Sequence, residues 1–176
     1  VPELANAFGR AGIDFHQLTG VLEGEPAPWE EIGEWLDAAR VAHTMAHNRL
    51  GLMGHYYNGM LDNYTDTTRQ LATFGGHIEI VEVEELAARR READSDAARA
   101  KLREFGEVFD IQRDCPADEL ERAARTSVAL DRLVADKALG AMAYYGIGSG
   151  VEEHESVLSS IILGNSLVTG QGLPVA

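Results

Sequence analysis

Cysteine is almost absent from this chain: Cys115 is the only one in 176 residues, so no disulfide can form within it. That usage fits a reducing compartment, and the cytoplasm is the expected location. Positive charge is also scarce, with 15 Lys and Arg against 29 Asp and Glu and a formal net charge of −14. A duplex-binding face needs clustered Lys and Arg to displace counterions, and an anionic bilayer attracts the same groups. Neither nucleic acid nor a membrane is therefore an expected partner. No apolar run approaches the ~20 residues that span a bilayer. No charged start leads into the apolar stretch of a signal peptide. What is present is ordinary for a globular domain, 45% hydrophobic and 25% charged. A chain this long buries roughly 70% of its unfolded surface, so it needs neither disulfide nor metal to fold. It opens on Val1-Pro2-Glu3-Leu4, which reads as a helix beginning, and closes on Gly172-Leu173-Pro174-Val175-Ala176, which reads as entry to a strand. A piece of a longer protein is the expectation.

Patterning predicts alternating elements. Helices are expected at Pro2 to about Ala11, Trp29 to about Asn48 and about Gly59 to Phe74. More follow at Glu84 to Glu92, Ser95 to Phe109, Pro116 to about Asp136 and Val151 to Leu163, the last broken by Gly164-Asn165. Strands are expected at Ile13 to Val21, Arg49 to Gly54, Ile78 to Val83 and Ala141 to Tyr145, with Pro174-Val175-Ala176 again extended. Strands alternating with helices of this length mean βαβ units. The expected fold is α/β, a three-layer sandwich of flavodoxin or Rossmann type on a mainly parallel sheet of about four strands. One domain is expected over residues 1–176, with 1–28 as a connection. The charged stretch Glu82 to Glu107 mixes both signs and reads as solvated helix faces.

In open parallel sheets, ligands sit beyond the carboxyl ends of the strands. The segment from Gly54 to Asp62 follows such an end and gathers His55, Tyr56, Tyr57, Asn58, Met60 and Asp62. These groups stack on a sugar ring or hydrogen-bond its hydroxyls. They equally suit a helix N-terminus capped by Asn58, with Tyr rings covering the sheet edge. Tyr144 and Tyr145 lead into Gly146-Ile147-Gly148-Ser149-Gly150, which reads as a phosphate cradle or as a flexible connection. The dinucleotide spacing is not met. His43 and His47 stand at i and i+4, a spacing that can bind zinc but here lacks the Glu base of metalloproteases, so a structural pair is expected. Cys115 has no nearby partner and reads as a buried or helix-start residue. Asp62, Asp66, Glu79 and Glu82 are candidate carboxylates. Asp62 and Asp66 share a helix face on the predicted helix, as a metal or hydroxyl site or a plain acidic face. Trp29 and Trp35 read as packing residues.

The run from His47 to Asp62 resembles the middle of the L-arabinose isomerase family, within the wider fucose and arabinose isomerase group. Segments similar to the family follow in order: Phe74 to Ile80, Ala123 to Asp131, Ala143-Tyr144-Tyr145 and Leu163 to Leu167, with Trp35 to Arg40 upstream. The resemblance implies an aldose–ketose isomerase, with L-arabinose to L-ribulose as the name reaction, working through an enediol on a divalent metal, usually manganese. It implies a small-molecule sugar as partner and a homo-oligomer, trimer or hexamer, with this chain as the central domain. In the family a Gly-Glu pair follows the segment matched by Gly172 to Ala176, and the metal-binding Glu and His residues come later still. None can be carried onto this chain, so no catalytic or metal-binding residue is expected in it. Met60, Tyr144 and Tyr145 match regions near the sugar pocket, with His55, Tyr56 and Tyr57 beside Met60. These are expected to shape the pocket wall.

Overall fold

The computed structural model describes residues 2–21, 23–57, 59–146 and 150–176, in two compact units, 1–44 and 45–176. The first unit holds α1 (Pro2–Ala11) and most of α2 (Ala27–His47). Proline in the first turn of α1 costs nothing, since its missing N–H would be unpaired there. Gly12 ends the helix at φ +68°. The expected strand over 13–21 is not formed: the segment has no regular secondary structure and pairs with no strand among the described residues. Its alternation serves local aromatic contacts instead, with Phe15 against Phe8 and His16 stacked on Trp35 at 4.5 Å. Trp29 and Trp35 stay about half exposed, so neither packs into a core within this unit.

The second unit is the α/β domain. Its order is β1 (Arg49–Gly54), a 3-10 turn (Leu61–Asn63), α3 (Thr67–Phe74), β2 (His77–Val81), α4 (Val83–Arg91), α5 (Ser95–Val108), α6 (Ala117–Lys137), β3 (Ala141–Tyr145), α7 (Glu152–Ser159) and α8 (Ile162–Gly170). The strands lie in the order β2-β1-β3, all parallel, with Leu52 opposite Ile80 on one side and Ala143 on the other. Among the described residues the sheet has three strands, not four. A fourth position is marked beside β3, where Met142 bridges Val175 and its N–H donates to the Pro174 carbonyl at 2.9 Å.

Strand alternation divides the sheet's faces. Gly51, Met53, Val81 and Met142 point to a helical layer and are buried there with Leu86, Leu130 and Leu133 of α4 and α6. Val157 and Ile161 close this core at α7 and its end. A second cluster sits between α5, α6 and α8, with Phe105 fully buried against Ala124 and Leu167. The other face carries Leu50, Leu52, Ile78 and Ile80, with α3 beside β2. Ile80 is 56% exposed, so this third layer is thin.

Helix ends follow local chemistry. The Asp94 carboxylate accepts from the Asp96 and Ala97 N–H groups and caps α5, and Glu82 forms a capping box with Glu85 at the start of α4. The predicted break at Gly164-Asn165 is displaced, since both lie inside α8 and the chain turns earlier, at Ser160 and Ile161. Gly164 permits close approach of α8 to α6, because a Cβ there would press on Ser127 and Leu130. Beside it the Thr126 and Ser160 hydroxyls hydrogen-bond at 2.7 Å in the interior. Nor is the charged stretch 82–107 merely solvated. Arg89 reaches Asp136, Arg91 reaches Glu153 and Lys101 reaches Asp131, tying α4 and α5 to α6 and α7.

Candidate functional site

The connection from β1 to β2 and the one from β2 past β1 to β3 run in opposite directions along the sheet, so they cross on opposite faces and a crevice opens at the carboxyl ends of β1 and β3. Gly54 ends β1 at φ +84°, where a Cβ would overlap the Tyr145 carbonyl oxygen. The same oxygen accepts the His55 N–H at 3.0 Å. The two strand ends are thus stitched main chain to main chain, and only glycine fits.

From this stitch the side chains fan outward. The His55 ring meets Tyr145 edge-on at 5.2 Å, and Tyr57 tilts against the same ring at 5.3 Å. Tyr56 turns toward Tyr64 and donates its hydroxyl proton to the Thr65 carbonyl at 3.2 Å. His55, Tyr56, Tyr57 and Tyr145 border a cavity of about 380 Å³. Leu50, Leu52 and Ile78 form its floor, while Asn63, Thr65, Thr67 and Gln70 supply hydroxyl and amide groups. Gln70 is oriented by its amide donating to Thr65 Oγ1 at 2.9 Å. The volume, the apolar floor and the few convergent polar groups are those of a small-molecule site. Among the described residues no Asp or Glu side chain lines it. Rings for stacking and neutral donors and acceptors suit an uncharged polyol better than a cation.

Of the residues expected to bind sugar, His55, Tyr56, Tyr57 and Tyr145 are brought together here. Tyr144 borders the cavity, but its side chain packs against the helix-side core, one residue out of phase with Tyr145. Met60 and Asp62 are exposed and outside the lining, and the Met60 sulfur accepts from the Asn63 amide. Asn58 and residues 147–149 of the glycine loop lie outside the described residues. The polar wall from Asn63 to Gln70 was not foreseen. Its one signal in the sequence is that a helix following β1 must start at the same end of the sheet.

The candidate carboxylates have other work. Asp62 and Asp66 do not share a helix face, because a 3-10 turn and a loop replace the first turns of the predicted helix. Asp66 caps α3, and the Thr68 hydroxyl with the Arg69 and Thr68 N–H groups holds its carboxyl below the usual range. Glu79 sits in an ion-pair knot, with Lys137 at 3.0 Å, Arg49 at 2.9 Å and His77 at 3.2 Å. The hydrogen bond from Lys137 chiefly lowers its pKa. A carboxylate with a depressed folded pKa adds stability above its unfolded pKa and loses it as pH falls through the folded value. Glu79→Gln should therefore lower stability at neutral pH and flatten the decline in acid. Unfolding midpoints of both proteins across the acid range check this, and parallel curves would contradict it.

Among the described residues the cavity assembles no metal centre. It offers one imidazole and no carboxylate, and among the described residues no three His, Cys, Asp or Glu side chains gather to hold an ion. A manganese ion, which the resemblance implies, finds no fitting donor set among the described residues of the cavity lining. His43 and His47 lie on α2 and are not among the residues that line the cavity. Cys115 is half-buried before Pro116, which caps α6. Among the described residues no helix is long and apolar enough to cross a membrane. Compared with protein-family models and with curated proteins, the chain matches no family and no curated relative.

Proposed function

We propose that residues 45–176 are the central domain of a metal-dependent aldose–ketose isomerase of the L-arabinose isomerase type, and that the strand-end cavity is one wall of its sugar pocket. The observation that carries this reading is the meeting of His55, Tyr57 and Tyr145 above a polar wall at the carboxyl ends of β1 and β3. The resemblance of His47 to Asp62 and of Ala143 to Tyr145 to that family points to the same two loops. In this reading the rings stack on the sugar's carbon face, and Thr67, Gln70 and Asn63 orient its hydroxyls. Metal ligands and the proton-transferring Glu come from other parts of a longer chain that assembles as a trimer or hexamer. The 176-residue chain should then show no manganese-dependent conversion of L-arabinose to L-ribulose. Robust turnover would contradict the placement of the catalytic groups outside it.

The second reading is a sugar-binding module without catalysis. It is favoured by one observation, that the cavity's described lining comes wholly from residues 50–176. Calorimetry with pentoses separates the two. Tight binding by this chain alone favours the module, and binding that requires a longer chain favours the isomerase domain.

A further inference from the structure

In a chain with 29 acidic and 15 basic residues, four arginines line one cleft. Arg90 and Arg91 end α4, Arg122 and Arg125 stand on α6, and α7 closes the cleft, which measures about 360 Å³. Asp118, Glu121 and Glu153 line it too. With Glu84 and Glu119 five carboxylates stand against the four arginines, but they are shared unevenly among them. Arg91 holds Glu84 and Glu153, and Arg125 holds Glu121 at 3.1 Å and the Ala93 carbonyl. Arg122 uses one nitrogen on Glu119. Asp118 makes no ion pair among the described residues and lies in the first turn of α6, where the helix dipole favours an anion.

Arg90 makes no ion pair with a carboxylate among the described residues. Its Nη1 donates to Ser156 Oγ at 3.1 Å, and Arg122 Nη1 donates to the same oxygen at 3.4 Å and to Ser159 Oγ at 3.3 Å. Two guanidinium groups thus converge on a neutral hydroxyl. Arg122 Nε is buried without any hydrogen-bond partner. Burial first, with Arg122 and Arg91 adding to it, draws the Arg90 pKa down against the opposing pull of Glu153. With its oxygen accepting from two arginines, Ser156 still has an O–H to donate.

We propose that this cleft binds a phosphate group, held between Arg90 and Arg122 and touched by the hydroxyl of Ser156. Guanidinium forks match the spacing of phosphate oxygens, and a phosphate presents its acceptor oxygens in a tetrahedral array that donors from two helices can reach together. The site shares no residue with the strand-end cavity, so its test stands apart from the proposed function.

Calorimetric titration of the 176-residue chain with inorganic phosphate, in chloride buffer at constant ionic strength, tests the proposal. One phosphate per chain is expected. Arg90→Gln should weaken binding by about tenfold or more, since it removes a charge-assisted hydrogen bond. Ser156→Asp puts a carboxylate between the two guanidinium groups, so it should raise the unfolding midpoint and abolish the heat of phosphate binding. Glycerol phosphate as a second titrant distinguishes sources: tighter binding than inorganic phosphate identifies a phosphorylated metabolite, and equal or weaker binding identifies the free ion. No heat with the native chain, or the same affinity in both variants, overturns the proposal.

Discussion

Gly54→Ala should destabilise the α/β unit by about 3 kcal/mol and disorder the strand-end cavity. A left-handed backbone costs a residue with a Cβ roughly 1–2 kcal/mol. The hydrogen bond between His55 N–H and the Tyr145 carbonyl adds about 1 kcal/mol when it is broken. That break is forced, because the new methyl would occupy the Tyr145 oxygen's position. The cost falls where β1 and β3 hold His55, Tyr57 and Tyr145 in contact. Chemical denaturation should show the lower midpoint, and ring resonances of these three residues should lose their mutual contacts. A stable variant with those contacts intact would contradict the account of the stitch.

Phe105→Ala should have a comparable or larger effect on stability and none on the cavity's geometry. Phe105 is fully buried between α5, α6 and α8 with Ala123, Ala124 and Leu167 around it. The neighbours are fixed on separate helices and close the gap only in part, so the loss includes a cavity and should reach about 3–5 kcal/mol. This cluster is separate from the core behind the sheet, where Met53, Leu130 and Met142 pack. Equilibrium unfolding gives the loss, and unchanged resonances of His55 and Tyr145 in the folded variant show that it stays local. A loss under 1 kcal/mol would mean that the second cluster does not hold α5 and α8 to α6.

The two predictions divide along the line between what the sequence displays and what it conceals. The limits of α6 were legible because Pro116 opens it and its apolar residues recur at helical spacing. The three parallel strands were legible as short apolar or β-branched runs between helices. Ile13 to Val21 alternates just as well, but alternation does not supply a neighbouring strand, and none pairs with it. Gly164 looked like a stop because glycine often is one. Here its missing side chain lets α8 close on Ser127 and Leu130, a tertiary reason invisible along the chain. The same holds for the site. Residues 55–57 and 145 could be named because they crowd behind strand ends, whereas Asn63, Thr67 and Gln70 become a wall only once α3 starts beside them. Glu79 and Asp66 looked chemical, and their chemistry is structural: one neutralises Lys137 and Arg49, the other caps a helix.

The central claim is that a sugar contacts the crevice at the carboxyl ends of β1 and β3. Its most direct test is an NMR titration of the 176-residue chain with L-arabinose, which detects the weak contact expected of a pocket wall without its metal. The account predicts progressive shifts concentrated at His55, Tyr57, Thr67, Gln70 and Tyr145, diminished when Tyr145 is replaced by Ala. Shifts scattered elsewhere, or none at concentrations where the sugar saturates weak protein sites, would contradict it.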